Sequence, residues 1–464
     1  MKRLILGVFI LLSLLTHSLS MAEEYLFFGR FGRVTVYRES RHPSQVVLFV
    51  SGDGGWNKGV IDMAKALASL GVVVVGIDIS HYLKELRISS EKCSYAAADF
   101  EMLSKFIQKK LDFPNYVPPI LVGYSSGATL VYAILVQAPP NTFHGAISLG
   151  FCPDLPLTKP LCRGYGLEWK PGSRGRGYSF VPASNLQTPW IAFQGTIDQV
   201  CNVTAVQNYV RQVKEGKIVL LPKVGHGFAV QRNWMPQFRQ VFISLVERHK
   251  INRSSFADEL KDLPLVEVLP KDLPRNSMAV ILSGDGGWAG IDRELGNILA
   301  GHGIPVVGLN SLQYFWTRRT PDESARDLGR ILRHYFDAWK MEKAILIGYL
   351  LGADVLPFMV NRLPQEILTR IQGVALLGPG DVVDFEFHLT DWLGVSSARK
   401  GYSVLPEVER LKGVRILCFY GEEEKHSLCK KLRVDLGKVI PLKGGHHFGG
   451  DYEAIAETIL NDLK

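Results

Sequence analysis

The sequence predicts an α/β fold present in two copies: two mainly parallel sheets in tandem, each with helices on both faces. Three observations predict it. The string Ser51-Gly52-Asp53-Gly54-Gly55-Trp56 recurs as Ser283-Gly284-Asp285-Gly286-Gly287-Trp288, each time after a short apolar run, Val46–Val50 and Met278–Leu282. Each copy then leads through an apolar strand into a Gly-Tyr-x-x-Gly-Ala turn, Gly123–Ala128 in the first and Gly348–Ala353 in the second. Around these marks, β-branched runs alternate with stretches of helical spacing, the pattern of a parallel sheet covered on both faces. At 464 residues the chain exceeds one ordinary domain. With 47% hydrophobic and 21% charged residues, each half can bury its own core.

Residues 1–22 read as a secretory signal peptide. Lys2 and Arg3 precede the apolar stretch Leu4–Leu15, and Ser20-Met21-Ala22 supplies small residues for cleavage near Ala22. The stretch is shorter than the roughly 20 residues that span a bilayer, so export is expected, to a bacterial periplasm. An oxidising compartment gives the six cysteines meaning. Cys152 and Cys162 flank the loop Pro153–Leu161 and are the pair expected to be bridged; Cys418, inside the apolar run Ile416–Tyr420, is expected as a buried free thiol. No CxxC pair accompanies them, so no metal site is expected. The formal charge of +8 includes Lys2 and Arg3. What remains favours an anionic lipid surface or serves solubility. Nucleic-acid binding is not expected, given the expected export and the lack of a basic run with interleaved aromatics.

In the first half, residues 23–249, Tyr25–Tyr37 alternates as edge strands do. Strand Val46–Val50, helix Val60–Leu70 ending at Gly71, strand Val72–Ile77 and helix Ala96–Leu111 follow. Then come strand Pro119–Val122, the turn Gly123–Gly127, helix Ala128–Gln137, strand His144–Leu149, strand Trp190–Gln194, helix Ala205–Val213, strand Lys217–Leu221 and a helix near Trp234–Arg248. In such folds ligand sites lie at the carboxyl ends of the strands. Ser125 sits there, in G-x-S-x-G between strand and helix, the setting of a nucleophile elbow. Asp198 is the first carboxylate after Trp190–Gln194, and His226 follows Lys217–Leu221 between two glycines. The order Ser…Asp…His is that of α/β-hydrolases. The fold class is therefore a tandem duplication of two α/β-hydrolase domains.

The chemistry assigns Ser125 as nucleophile, His226 as base and then acid, and Asp198 as the group that orients the imidazole. Oxyanion donors are expected from the backbone of Ser126 and, in the glycine loop, Gly54, with Asp53 shaping that loop. Trp56 floors a substrate pocket or packs in the core. The insertion Cys152–Gln187 carries Arg163, Lys170, Arg174 and Arg176 interleaved with Tyr165, Trp169, Tyr178 and Phe180. It is read either as a lid, with Trp169 and Lys170 touching a phosphate-bearing acyl substrate, or as a solvated surface loop.

Residues 250–264, with helical Ser255–Leu263, make the linker; residues 265–464 repeat the order. Strand Met278–Leu282, helix Ile291–Leu299, strand Pro305–Leu309, helix Ala325–Trp339, strand Ala344–Ile347, helix Asp354–Arg362 and strand Gly373–Leu377 precede strand Ile416–Tyr420, a run near Val439–Leu442 and helix Ala454–Leu463. Leu350 aligns with Ser125 and has no nucleophilic atom. Aligning Cys201 with Cys429 puts His426 on Asp198, with Glu424 nearby, and His446 matches His226. This half reads as a pseudo-hydrolase domain that binds ligand, braces the first half or docks a partner. Its acidic stretch Asp381–Asp391 reads as a solvated loop rather than as a site for a cationic group.

The doubled Ser-Gly-Asp-Gly-Gly-Trp, Gly123–Ala128, Cys152-Pro153-Asp154-Leu155 and Gly348 to Phe358 with its Gly-Ala-Asp-Val-Leu-Pro resemble the AcvB/VirJ bacterial virulence protein family of exported α/β-hydrolases. The resemblance covers nearly the whole mature chain. It implies a periplasmic enzyme that hydrolyses the aminoacyl ester of aminoacylated phosphatidylglycerol, such as lysyl-phosphatidylglycerol. An anionic membrane lipid is then the substrate, type IV secretion components are partners, and no cofactor is called for. Single-domain members look like the second half, and family members usually carry serine where this chain has Leu350. Two other readings compete: a non-catalytic periplasmic binding or chaperone-like factor for type IV secretion, and a generic exported esterase.

Overall fold

The computed structural model describes residues 22–40, 43–172, 177–253, 258–271, 276–388, 401–411 and 413–463. The first half opens with the antiparallel hairpin β1 (Ala22–Phe28) and β2 (Gly32–Arg38). There follow β3 (Val46–Val50), α1 (Lys58–Ala68), β4 (Val73–Ile77), α2 (Ile79–Ile88), α3 (Ala96–Lys110), β5 (Ile120–Tyr124), α4 (Ser126–Gln137) and β6 (Gly145–Leu149). The short strands β7 (Asp154–Leu155), β8 (Trp169–Pro171) and β9 (Tyr178–Phe180) form a small separate sheet. Next come β10 (Trp190–Gly195), α5 (Val203–Val210), β11 (Gly216–Leu221) and α6 (Met235–Arg253). The main sheet runs β1-β2-β4-β3-β5-β6-β10-β11, parallel from β4 onward.

The second half holds β12 (Leu265–Val268), β13 (Ser277–Leu282), α7 (Ile291–Gly301), β14 (Val306–Leu309), α8 (Ser311–Tyr314), α9 (Pro321–Ala338), β15 (Lys343–Tyr349) and α10 (Leu351–Val360). Then come β16 (Ile371–Leu377), the small pair β17 (Val382–Val383) and β18 (Tyr402–Ser403), β19 (Arg415–Gly421), β20 (Lys438–Leu442) and helix Tyr452–Asp462. Its sheet, β12-β14-β13-β15-β16-β19-β20, matches the first from β2 to β11, strand for strand.

Strand alternation explains the layers. In β3, Val46, Leu48 and Val50 face α3 and α4, whereas Val47 and Phe49 face α1 and α6. In β13, Met278, Val280 and Leu282 face α9 and α10, whereas Ala279 and Ile281 face α7 and the last helix. Strands buried on both faces are continuously apolar, which is why they read as runs rather than alternations. α2 is an element that the sequence pattern does not predict; the Asp78 carboxylate caps it by accepting from the Ser80 and His81 N–H groups, and Ile79, Tyr82 and Leu86 bury one side. The linker differs from the helix expected at Ser255–Leu263: α6 runs on to Arg253 and a short turn occupies Asp258–Leu260. Residues 254–257 lie outside the described residues, as do residues 1–21 of the expected signal segment.

The cysteine pairing corrects the expectation. Cys162 bonds Cys93, Cys152 bonds Cys201, and Cys418, expected free, bonds Cys429. Cys152 and Cys162 are close in sequence, but the small sheet carries the chain away between them. Cys162 reaches the far end of α4, where its carbonyl accepts from the Gln137 side chain.

One aromatic side chain joins the halves. Trp316, just after α8, is 1% exposed and donates Nε1–H to the Phe113 carbonyl at 2.7 Å. Lys109 lies 4.6 Å over its ring and bonds its carbonyl; Tyr116 and Phe387 pack on either side. Deleting a buried Trp side chain costs about 3–5 kcal/mol. Trp316→Ala is therefore expected to lower the denaturant midpoint and to separate the unfolding of the halves, measured by intrinsic fluorescence; an unchanged curve would contradict this packing role.

Candidate active site

The elbow comes from backbone geometry. Ser125 has φ 53°, ψ −121°, a conformation rare for a residue with a side chain. The turn is tight enough that a Cβ on Gly123 would lie 2.1 Å from the Gly127 carbonyl oxygen, and one on Gly127 would lie 2.4 Å from that of Ser51. Only glycine fits at either place. Ser125 N–H donates to the Leu149 carbonyl, which fixes the elbow between β5 and β6.

Ser125, His226 and Asp198 form one hydrogen-bonded chain. Ser125 Oγ lies 2.9 Å from His226 Nε2, and His226 Nδ1 lies 2.9 Å from Asp198 Oδ2. An ionised carboxylate only accepts, so Nδ1 carries the proton and Nε2 is left to accept from the serine hydroxyl. The Asp198 side chain is fully buried. Its Oδ1 accepts from the N–H groups of Val200 and Cys201, at 2.8 and 3.0 Å, and its Oδ2 also accepts from Gln194 Nε2 at 2.9 Å. Burial pushes this carboxyl up, but the Cys201 amide, the His226 imidazole and the Val200 amide together outweigh it, and the pKa falls below the ordinary value.

Three further groups position the relay, and the sequence pattern alone does not reveal them. Gln194 is the polar residue in an otherwise apolar buried strand, and that mismatch is the one signal available. Tyr124 donates its hydroxyl to the His226 carbonyl at 3.2 Å. The Cys152–Cys201 disulfide ties the acid loop to the segment after β6, beside Gly150, where a Cβ would come within 3.2 Å of the imidazole.

The other predicted residues are distributed differently. Ser126 is the first residue of α4, so its N–H has no acceptor within the helix and stands next to the nucleophile. In the glycine loop it is Gly52 that meets the elbow, its Cβ position 3.0 Å from the Ser125 Cβ, and Asp53 accepts from the Ser126 hydroxyl at 2.5 Å. Gly54 instead lies against Asn57, because the Gly55 N–H bonds back to the Gly52 carbonyl and turns the loop away. Trp56 lies over Gly76, meets Phe49 edge-on and donates to the Tyr37 hydroxyl, so it packs the core and does not floor a pocket. Trp169 bonds the Leu161 carbonyl and packs on Tyr178, and Lys170 is exposed on β8. Leu155, Leu157, Leu161, Leu167 and Phe180 anchor the insertion in the core, and Tyr165 N–H bonds the Gln137 carbonyl at the far end of α4. The described part of the insertion braces α4; Arg174 and Arg176 lie outside the described residues.

The second half keeps the elbow without its chemistry. Leu350 has φ 46°, ψ −113°, and its Cδ2 lies 3.2 Å from the Cβ position of Gly378. Gly378 is the counterpart of Gly150, so a methyl group fills the space that an imidazole borders in the first half. Tyr349 donates to the His446 carbonyl as Tyr124 does to that of His226, which sets the two loops in register. The His446 ring, however, is exposed and lies tilted against His447, centroids 4.4 Å apart. Glu424 N–H bonds the Gly421 carbonyl as Asp198 N–H bonds that of Gly195, so Glu424, not His426, is the counterpart of Asp198. The cysteine alignment misleads because the loop before Cys429 is longer than that before Cys201. His426 is exposed, and Asp391 lies outside the described residues.

Among the described residues, donor atoms of Asp198, Cys201 and His226 lie within 4.8 Å of one another. The sulfur is held in a disulfide and cannot serve as a thiolate, so the set does not have the chemistry of a metal centre.

The family model described as bacterial virulence protein (VirJ) matches residues 44–147 and 276–464, more than half of the chain. No curated protein matches in sequence. Similar solved structures include a serine hydrolase without a lid from Xanthomonas campestris, at 22% identity and TM-score 0.32, covering 49% of this chain and 94% of that one. A putative dienelactone hydrolase from Klebsiella pneumoniae is 14% identical with TM-score 0.36, covering 49% and 99%. An esterase domain from Rhodothermus marinus is 16% identical with TM-score 0.31, covering 46% and 92%.

Proposed function

The chain belongs to the VirJ family of bacterial virulence proteins, and we propose that it is a periplasmic serine esterase that cleaves the aminoacyl ester of an aminoacylated phosphatidylglycerol. The observation that carries this reading is the Ser125–His226–Asp198 relay. Ser125 Oγ attacks the acyl carbonyl while His226 Nε2 takes its proton. The C–O ester bond breaks as His226 returns that proton to the departing glycerol oxygen, and water then releases the acyl group by the same steps. The negative charge on the carbonyl oxygen is met by the Ser126 N–H and by a backbone N–H of the Gly52–Asp53 stretch. Leu350 leaves the second half without a nucleophile, and the role of that half is to brace the first through Trp316.

The mouth of the site supports a lipid substrate. The loops bearing Asp198 and His226 expose Ile197, Val200 and Val230 beside exposed Lys223 and Arg232. Asp198 is the only acid in residues 196–202 and 222–232, and it is buried. Apolar side chains flanked by unopposed cations suit an anionic bilayer surface. In vesicles of phosphatidylglycerol containing lysyl-phosphatidylglycerol, the wild-type protein is expected to release lysine, measured by lipid extraction. Ile197→Ser with Val230→Ser is expected to cut that release about tenfold while sparing a soluble short-chain ester. No lysine release by the wild type would refute the lipid reading.

A further inference from the structure

We propose that Asp53 selects the acyl group: its carboxylate receives the α-ammonium of an aminoacyl ester held at Ser125. This rests on the esterase reading above and goes beyond it, because it makes the amine a requirement of this site.

Asp53 is placed for the task. It directly follows Gly52, whose Cβ position is 3.0 Å from the Ser125 Cβ, and its Oδ1 accepts from the Ser126 hydroxyl at 2.5 Å. The carboxylate is thus bonded to the residue whose N–H meets the developing oxyanion. It is exposed, and among the described residues it has no ion-pair partner. The Ser126 hydroxyl holds one oxygen and orients the group, leaving the other to accept from a ligand.

Electrostatics points the same way. A fixed anion beside the place where negative charge develops opposes ester cleavage. The opposition is removed when a cation enters with the substrate. An aminoacyl ester carries its ammonium on the carbon next to the reacting carbonyl, so the cation arrives beside the oxyanion in every productive complex. A fatty or acetyl ester brings no such charge and meets only the repulsion. Charge-assisted hydrogen bonds between ammonium and carboxylate are also stronger than neutral ones.

The two halves differ at this point as well. Asp285 repeats Asp53 in the string, but the residue matching Ser126 is Leu351, which has no hydroxyl to orient a carboxylate. A hydroxyl next to the elbow residue that could orient this acid is present in the first half and absent from the second.

The test uses the full chain and two activated esters of matched leaving group, L-alanine p-nitrophenyl ester and propionic acid p-nitrophenyl ester, which differ only in the amine. Asp53→Asn keeps the bond to Ser126 and removes the charge. Its kcat/KM for the alanine ester is expected to fall about 10- to 100-fold, mainly through KM, while that for the propionyl ester rises a few-fold. Ser126→Ala frees the carboxylate without discharging it and is expected to lower the preference for the alanine ester by a smaller factor. If both esters fall in parallel in Asp53→Asn, the residue only shapes the loop and the inference is overturned while the esterase stands. A wild-type protein inert toward both esters removes the esterase reading and this inference with it.

Discussion

Ser125→Ala is expected to abolish labelling by a fluorophosphonate probe and to lower ester turnover by roughly 10⁴- to 10⁶-fold. In the proposed reaction the hydroxyl oxygen is the atom that forms the acyl bond, and among the described residues no other hydroxyl is bonded to the His226 ring. Ser126, its neighbour, is turned toward Asp53 and cannot substitute. The backbone donors survive the change, so the activity left is that of a binding site with an oxyanion hole and no nucleophile. The fold should persist, because the elbow is held by Gly123, Gly127 and the backbone bond from position 125 to Leu149. Circular dichroism with an unchanged melting curve checks this. Labelling that survives in Ser125→Ala would place the nucleophile elsewhere and end the esterase assignment at this elbow.

Asp198→Asn is expected to reduce kcat by about 10⁴-fold while leaving the serine in place. In the wild type the carboxylate accepts four donors, from Gln194, Val200, Cys201 and His226. An amide turns one of those acceptor positions into a donor. If that donor faces His226, Nδ1 becomes the acceptor, Nε2 carries the proton, and the imidazole can no longer take the serine proton. If it faces the backbone amides instead, two N–H groups are left opposed by another. Either way stability should also fall, by about 1–3 kcal/mol for a buried group left unsatisfied. The pH dependence has a definite sign. A carboxyl whose folded pKa is lowered adds stability above its unfolded value, and that contribution is lost only as pH falls through the folded value. Acid inactivation arising from Asp198 is therefore expected below the ordinary carboxyl value of 3.8. A profile of kcat against pH in which Asp198→Asn matched the wild type would contradict the role assigned.

Much of this fold is legible in the sequence because its strands are extreme. Val46–Val50 and Met278–Leu282 are buried on both faces, leave no polar positions, and coincide with observed strands. The elbow is legible for a related reason: a strand, a left-handed residue and a helix packed within a few ångströms admit glycine at two fixed places, so the chemistry leaves a pattern in the letters. Ser125, Asp198 and His226 can be read because each falls at a strand end, where a short loop has few residues to offer. α2 is less legible, since Asp78 signals a cap but the helix after it is amphipathic and mixed with Lys84, Glu85 and Arg87. The cations and aromatics of the insertion suggest a lid; what anchors it is the set of leucines between them.

The order of residues by itself determined the two-copy α/β plan, the elbow serine at 125 and the leucine in its place at 350, because burial and backbone sterics act over a few neighbours and leave periodic traces. Which cysteines meet, which carboxylate of the second half stands at the acid position, and which glycine of the first loop touches the elbow were decided only in three dimensions. Each of those is a contact between segments far apart along the chain, or a loop whose length shifts the register, and no local rule relates their spacing in sequence to their distance in space.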